Sequence, residues 1–235
     1  MRQDYFENYV EHAFGDHKQA DFKINQIMHN YTRFFPDDLD SNILDIGIGR
    51  GEMLTVFNNL GYRNYLGVDI SPSTVSFCKN IGLNCIQIQN TENYLSDRHG
   101  QFDLITLCDV LEHIEKNKVI EFVKSINIAL KNDGIIIIQI PNMQSPDPAL
   151  HRYNDMTHEI GFTEHSLNQL LMLAGFSDIK FYPYEIIIGW SLKNIIRSFV
   201  RSVYLDIVRI RRLINGDLNP KILSPVFFAV AKKNE

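Results

Sequence analysis

The chain has 235 residues, of which 45% are hydrophobic and 22% charged, as is ordinary for a globular protein with a substantial core. Its net charge of −5 argues against a general nucleic-acid-binding protein, whose surface would be basic. Three cysteines lie in regular segments without metal-ligand spacing, so we expect reduced thiols in a cytoplasmic protein. We expect neither a signal peptide nor a membrane span, because no apolar run has the required length.

Helical and strand-like patterns follow one another along the chain. Apolar residues spaced three or four apart predict helix over 4–34, so residues 1–38 are expected to form a helical cap on a domain over 39–235. The predicted strands are 42–46, 64–69, 84–88, 102–108 and 134–140, and the predicted helices are 51–60, 72–81, 115–131 and 164–174. This alternation predicts an α/β fold whose parallel sheet is covered by helices on both faces.

The last part of the chain departs from that alternation. Residues 177–188 and 224–233 predict two further strands, and between them lies a long insertion over 189–223. Two late strands joined by so long a connection are unusual for a plain dinucleotide-binding fold.

A glycine-rich stretch, "NILDIGIGRGEML", follows the first predicted strand. Gly47, Gly49 and Gly51 lie between that strand and the next helix, where open parallel sheets bind their ligands. Because these residues lack a Cβ, a ligand can approach the backbone and the helix N-terminus closely. Their spacing, G-x-G-x-G, differs from the G-x-G-x-x-G fingerprint of dinucleotide-binding loops.

Two acidic residues flank this glycine loop. Asp45 precedes the first glycine, where a carboxylate would repel a pyrophosphate and attract an ammonium group. Asp69 ends the second predicted strand, where a carboxylate can accept both hydroxyls of a ribose. A nucleoside with a cationic amino-acid tail and no phosphate meets these demands, and S-adenosylmethionine is such a molecule.

Several motifs resemble those of class I S-adenosylmethionine-dependent methyltransferases. They are "LDIGIGRGEML", "GVDIS", "FDLITLCDVLEHI", "LKNDGIIIIQIPN" and "THEIGFTEHSLNQLLMLAGF", and they cover about residues 40–180. The chain looks nearest to the small-molecule O-methyltransferase branch, which includes ubiquinone-biosynthesis-type enzymes and sugar or polysaccharide methyltransferases. The resemblance implies a Rossmann-like seven-stranded sheet of order 3-2-1-4-5-7-6 with strand 7 antiparallel. It also implies methyl transfer to a hydroxyl of a small molecule or glycan acceptor.

The resemblance assigns the cofactor contacts position by position. The expected cofactor-binding residues are Asp45, Gly47, Gly49, Gly51, Asp69, Ile70, Asn90, Glu92, Cys108 and Asp109. Ile70 matches an apolar residue that lies against the adenine. Asn90 or Glu92 would substitute for the acidic residue that often faces the adenine amino group. Cys108 and Asp109 match the positions that line the methionine portion.

Two histidines are candidates for the base that a hydroxyl acceptor would use. His113, in "DVLEHI", follows the fourth predicted strand, and a structural or orienting role is the alternative for it. His158 lies in the loop over 141–163, which is long enough to be a lid or substrate wall. For His158 the alternatives to a base are a substrate contact and a structural role.

The same loop carries the residues expected to contact the acceptor, namely His151, Arg152, Tyr153 and Asp155. Asp155 could orient the imidazole of His158 or help to bind a divalent ion. A metal site formed by His151, Asp155 and His158 is an alternative, but we expect no metal.

Residues 191–214 predict a basic amphipathic helix. Its apolar residues form one stripe, and six basic side chains accompany a single acidic residue, Asp206. Such a helix could bind an anionic membrane surface or a lipid-linked substrate. It could also form a homodimer contact, cap the substrate, or simply pack on the sheet. The expected location is therefore the cytoplasm, with peripheral contact at the inner membrane face as an alternative.

The sequence leaves three rival functions open. A nicotinamide-dependent oxidoreductase would share the fold class, although the glycine spacing argues against it. A non-catalytic binding protein could retain the methyltransferase fold. Nucleic-acid methylation ranks lower, because "CDVLEH" stands where an Asn-Pro-Pro-Tyr-like tetrad would handle a base amino group.

Overall fold

The computed structural model describes residues 20–187, 189–217 and 219–234. The predicted helix over 4–34 therefore lies partly outside the described residues. Its described part is α1 (Ala20–Tyr31), which is followed by a 3₁₀ turn at Thr32–Phe34.

Within the described residues, seven strands form one sheet. They are β1 (Asn42–Ile46), β2 (Asn64–Asp69), β3 (Cys85–Gln87), β4 (Phe102–Cys108), β5 (Leu130–Pro141), β6 (Phe176–Pro183) and β7 (Val226–Lys233). The strand order is β3-β2-β1-β4-β5-β7-β6, and β7 pairs antiparallel with both β5 and β6. The predicted sheet order and the reversed last strand are confirmed.

Seven further helices follow α1 within the described residues. They are α2 (Glu52–Leu60), α3 (Pro72–Asn80), α4 (Thr91–Leu95), α5 (Val119–Ala129), α6 (Pro148–Tyr153), α7 (Glu164–Leu173) and α8 (Leu192–Asn215). Alternate residues of β5 belong to two separate hydrophobic clusters: Ile136 and Ile138 pack on one face, and Ile137 packs on the other. This alternation explains the uninterrupted apolar run in the sequence, because a central parallel strand is buried on both sides.

Some element boundaries differ from the predicted ones. The helix predicted over 115–131 begins only at Val119, because residues 111–118 form a 3₁₀ turn and a second tight turn. β5 begins at Leu130, before its predicted start at 134. β6 ends at Pro183: the N–H of Tyr184 still donates to Val226 at 3.2 Å, but the N–H groups of Glu185 and Ile187 bind side chains of α1 and not β7.

Side chains of α1 bind the segment after β6. The amide of Gln26 donates to the carbonyl of Ile187 at 3.1 Å and accepts from its N–H at 2.7 Å. Asn30 makes the same pair of bonds with Glu185, both at 2.9 Å. Tyr31 is fully buried in the core. The described part of the predicted cap is thus anchored in the domain.

The insertion before β7 consists mainly of α8. Ser191 caps its start with a hydrogen bond to the N–H of Asn194, and Gly216 ends it in a left-handed conformation. Of its side chains only Val208 is buried. Within the described residues, none of the helices combines the length and apolar character that crossing a bilayer requires.

Candidate active site

The glycine loop follows β1 directly. Gly47, Gly49 and Gly51 have φ values of 78°, 51° and 77°, in the left-handed region that favours glycine. A Cβ on Gly47 would lie 2.2 Å from Cγ2 of Val110, a distance that sterics forbid. The backbone conformation and the close packing therefore both require glycine at position 47, and Gly47 and Gly49 stay half-buried, with no side chain of their own over their backbone.

Asp45 lies in β1 just before the loop. Only 2% of it is exposed, and its carboxylate accepts a hydrogen bond of 2.6 Å from the hydroxyl of Thr106 on β4. Burial raises the pKa of Asp45 to about 7, and the nearby carboxylates of Asp69 and Glu52 add to this shift. Because desolvation and like charges disfavour the ionised form, a bound ammonium group would relieve both effects.

Asp69 ends β2 on the other side of the loop. Burial raises its pKa to about 6, while backbone N–H groups of residues such as Ser71 and Gly49 oppose that rise. The N–H of Ser71 donates to Asp69 at 2.8 Å. The next residue, Ile70, is 44% exposed and offers an apolar surface beside the carboxylate. A ribose and an adenine ring fit this combination of acceptor and apolar surface.

The residues predicted to face the adenine amino group lie at the start of α4. The side-chain oxygen of Asn90 accepts from the N–H of Asn93 at 2.8 Å and caps the helix. Glu92 lies in the first turn and is half-buried. The oxygen of Asn90 thus already has a partner, and the adenine contact of either residue stays a prediction.

A chain of hydrogen bonds joins α1 to the ends of β4 and β5. The hydroxyl of Tyr31 donates to the amide oxygen of Gln139, and the Nε2 of Gln139 donates to Asp109 at 2.8 Å. Asp109 has a φ of 54°, and Cys108 beside it is an unpaired thiol whose pKa burial raises well above its usual value. Tyr31 and Gln139 carried no recognisable signal in the sequence, because each is defined only by a distant partner.

Two histidine rings meet beside the glycine loop. The ring centroids of His113 and His158 are 4.7 Å apart, with the planes inclined at 68°. The N–H of His113 donates to the carbonyl of Val110 at 3.0 Å, within the turn whose Val110 side chain packs on Gly47. The structure therefore brings both predicted base candidates together, and the turn that leads to His113 packs on the cofactor loop through Val110.

Hydrogen-bond partners define the orientation of both rings. Thr157 donates its hydroxyl proton to Asp155 at 2.6 Å, so its oxygen accepts from Nδ1 of His113 at 2.8 Å. Nδ1 of His158 lies 2.9 Å from the carbonyl oxygen of His151, which can only accept. In the neutral form each ring thus carries its proton on Nδ1 and its lone pair on Nε2.

Glu112 lies beside these rings and was not among the predicted site residues. It is 2% exposed, and neither carboxylate oxygen has a hydrogen-bond partner among the described residues. Burial raises its pKa well above the usual value, and the charge of Asp109 adds to the shift. The only sequence signal was the acid in "DVLEHI", and its burial could not be read from the motif.

The loop over 141–163 contains α6 and folds back onto the histidine pair. The guanidinium of Arg152 donates to the carbonyl oxygens of His158 and of Glu159, the latter at 3.0 Å. The N–H groups of Glu159 and Ile160 bind the carbonyl oxygen of Glu112 at 2.7 and 3.1 Å. Arg152 therefore shapes the loop, and its predicted contact with the acceptor stays a prediction.

The other predicted acceptor residues have different surroundings. Tyr153 is largely exposed, and His151 orients His158 through its backbone oxygen. Burial acts to raise the pKa of Asp155, but hydrogen bonds from Thr157 and the charges of the two histidines lower it overall. Among the described residues, the donor atoms that converge as metal ligands belong to Glu112, His113 and His158, and not to the trio His151, Asp155 and His158.

Comparisons with known proteins identify the family of this chain. A family model described as a methyltransferase domain matches residues 17–180, and the chain belongs to this family. Human EEF1A lysine methyltransferase 2 is 35% identical over 114 residues, which are 43% of this chain and 47% of that protein. A ubiquinone biosynthesis O-methyltransferase of Rickettsia bellii is 28% identical over 134 residues, which are 54% of this chain and 52% of that protein. The matched region thus spans about half the length of these relatives.

Solved structures share the fold over almost the whole chain. A SAM-dependent methyltransferase from Archaeoglobus fulgidus superposes with a TM-score of 0.69 at 22% identity, covering 98% of this chain and 99% of that one. The 1,6-didemethyltoxoflavin-N1-methyltransferase of Burkholderia thailandensis, solved with S-adenosylhomocysteine, has a TM-score of 0.59 at 18% identity and covers 100% of this chain and 87% of that one. The cofactor of this family is S-adenosylmethionine, which the loop and its two carboxylates fit.

Proposed function

We propose that this protein transfers the methyl group of S-adenosylmethionine to a hydroxyl of a small molecule or a sugar. The observation that supports this proposal is the position of His158, whose ring packs on that of His113 and whose Nδ1 is held by the carbonyl of His151, so that the neutral ring carries its lone pair on Nε2. A hydroxyl must lose its proton as it is methylated, and an imidazole is suited to accept it near neutral pH.

The residues of this chain supply binding and orientation. Asp45 would hold the ammonium group of the cofactor, and Asp69 would hold its ribose. The backbone of the glycine loop would lie against the cofactor between these two groups. When bound, S-adenosylmethionine supplies a methyl group that is already activated by the sulfonium. The protein must therefore mainly align the acceptor oxygen and receive its proton, for which we assign Nε2 of His158.

The acceptor is proposed to be linked to a lipid at a membrane surface. α8 exposes a continuous apolar face formed by Leu192, Ile195, Ile196, Phe199, Val203, Ile207, Ile210 and Ile214. Trp190, just before the helix, is 96% exposed. Six basic residues accompany this face, against the single acid Asp206, so the helix complements an apolar layer bordered by anionic headgroups.

A labelling experiment tests the reaction. The protein is incubated with methyl-labelled S-adenosylmethionine and with aqueous, lipid-extractable and protein fractions of a cell lysate. We expect label on a hydroxyl in the lipid-extractable fraction. Label on an aqueous small molecule or sugar would refute the lipid linkage alone, and label confined to protein would contradict the proposed acceptor class. His158→Ala should lower turnover by about 10²–10⁴-fold, whereas the control His165→Ala, on the exposed start of α7, should be unaffected.

Vesicle flotation tests the membrane contact. The protein should float with vesicles that contain phosphatidylglycerol and much less with phosphatidylcholine alone, because the basic residues need anionic lipid. Phe199→Glu combined with Ile207→Glu should abolish flotation. Flotation that does not depend on anionic lipid would refute the lipid proposal. A dimer in solution that the same double variant dissociates would also refute it, and would assign the apolar face of α8 to a second subunit.

A further inference from the structure

The carboxyl group of Glu112 is buried without hydrogen-bond partners in the part of the chain that the structure describes. Its side chain is 2% exposed, and both carboxylate oxygens lack a hydrogen-bond partner among the described residues. Leaving such a polar group unpaired in the interior is unfavourable, and more so if the group is charged. The same residue is fixed at its backbone by two N–H donors from the loop after α6. Binding of S-adenosylmethionine and methyl transfer to a hydroxyl do not by themselves require a carboxyl group buried at this position.

The two histidines next to Glu112 are oriented by groups behind them. Asp155 acts through the hydroxyl of Thr157 on Nδ1 of His113, and the carbonyl of His151 binds Nδ1 of His158. Metal-binding histidines show this arrangement, in which the second ring nitrogen donates to a carboxylate, hydroxyl or carbonyl and the lone pair of the first points at the ion. The atoms that Glu112, His113 and His158 can offer lie within 4.8 Å of one another.

We propose that Glu112, His113 and His158 bind one divalent transition-metal ion. Two imidazoles and one carboxylate are a ligand set suited to Mn²⁺, Fe²⁺, Co²⁺ or Zn²⁺, whereas Mg²⁺ and Ca²⁺ prefer sites made of oxygen atoms. Small side-chain rotations would bring the three ligand atoms to about 2.0–2.2 Å from a common ion. Such an ion would neutralise Glu112 and provide the partner that its oxygens lack.

Three protein ligands leave coordination positions for a further oxygen. Resting on the proposed function, this places the acceptor hydroxyl on the ion, which would lower the pKa of that hydroxyl. With Nε2 of His158 bound to the ion, the lowered pKa would let the acceptor hydroxyl release its proton to solvent water, in place of the transfer to His158 in the metal-free site. Its oxygen would then form the bond to the methyl carbon as the bond from that carbon to the sulfonium sulfur breaks. The binding of the ion itself does not depend on the identity of the acceptor.

Mn²⁺ titration followed by electron paramagnetic resonance tests the site on the full chain. The protein is first freed of metal by chelation, and its fold is checked by circular dichroism. We expect one Mn²⁺ per chain, with spin-echo modulation from two imidazole nitrogens. Glu112→Gln, which keeps the shape of the buried side chain, and His158→Ala should each weaken binding at least about tenfold. The control His165→Ala should bind as the unchanged protein does.

Two results would overturn the proposed metal site. Absence of saturable binding of Mn²⁺, Co²⁺ and Zn²⁺ by the folded protein would overturn the proposal, as would binding that Glu112→Gln and His158→Ala leave intact. Calorimetry with S-adenosylhomocysteine separates this from the methyltransferase proposal. Cofactor binding and methyl transfer that persist in excess chelator, without metal binding, would refute the metal site alone. Metal binding by a protein that transfers no methyl group would refute the proposed function alone.

Discussion

Replacing Asp45 with Asn should stabilise the folded protein at neutral pH while weakening its cofactor site. Burial raises the pKa of Asp45 from 3.8 to about 7. Between these values the folded state binds more protons than the unfolded state, so stability falls as the pH rises through this window. Three pKa units correspond to about 4 kcal/mol once the carboxylate is ionised in both states.

The asparagine variant removes that ionisation but adds a cost of its own. Its side-chain oxygen can still accept the hydrogen bond from Thr106, whereas its buried NH₂ group needs acceptors and costs about 1–3 kcal/mol without them. We therefore expect Asp45→Asn to be more stable than the unchanged protein by about 1–3 kcal/mol near pH 8. This gain should be smaller by about 2–3 kcal/mol near pH 5, where Asp45 in the folded protein is already largely protonated.

Urea unfolding at both pH values measures these differences. Asp97→Asn, at an exposed position, is the matched control and should show no pH-dependent gain. Calorimetry should show that Asp45→Asn binds S-adenosylhomocysteine about 10–100-fold more weakly than the unchanged protein, because the ammonium group of the ligand loses a charged partner. A difference in stability that is the same at both pH values would refute the argument that the buried carboxylate destabilises the free protein.

Three further results are expected. Gly47→Ala should unfold at lower urea and lose cofactor binding, because its Cβ would meet Val110 at 2.2 Å, whereas Gly189→Ala adds a Cβ with nothing within 4 Å. The affinity of the unchanged protein for S-adenosylhomocysteine, measured by calorimetry, should rise from about pH 5 to pH 8, since both buried carboxylates beside the loop must ionise; a flat profile would contradict their roles. Tyr31→Phe should cost about 1–2 kcal/mol in urea unfolding by removing the hydroxyl that binds Gln139, and an unchanged midpoint would mean that this bond adds nothing.

Much of the fold followed from local patterns in the sequence. The apolar runs and the helical periodicity located each strand of the sheet, because a buried parallel strand and an amphipathic helix leave distinct spacings. The cofactor loop was equally local: three glycines and Asp45 lie within a few residues, and Asp69 ends the neighbouring strand. The position of the antiparallel β7 between β5 and β6 came from the family resemblance, since spacing alone does not order strands in a sheet.

The tertiary structure alone decided which distant side chains meet. His113 and His158 lie on different loops, and only the return of the chain after α6 brings their rings to 4.7 Å. The carboxyl group of Glu112 is buried without partners among the described residues, a property that depends on residues distant in the sequence and that the motif alone does not predict. For α8 the sequence predicted the apolar stripe, but only the structure shows that this stripe is exposed to solvent. Periodicity records which face of an element is apolar, but burial and pairing are set by neighbours that lie far away in the chain.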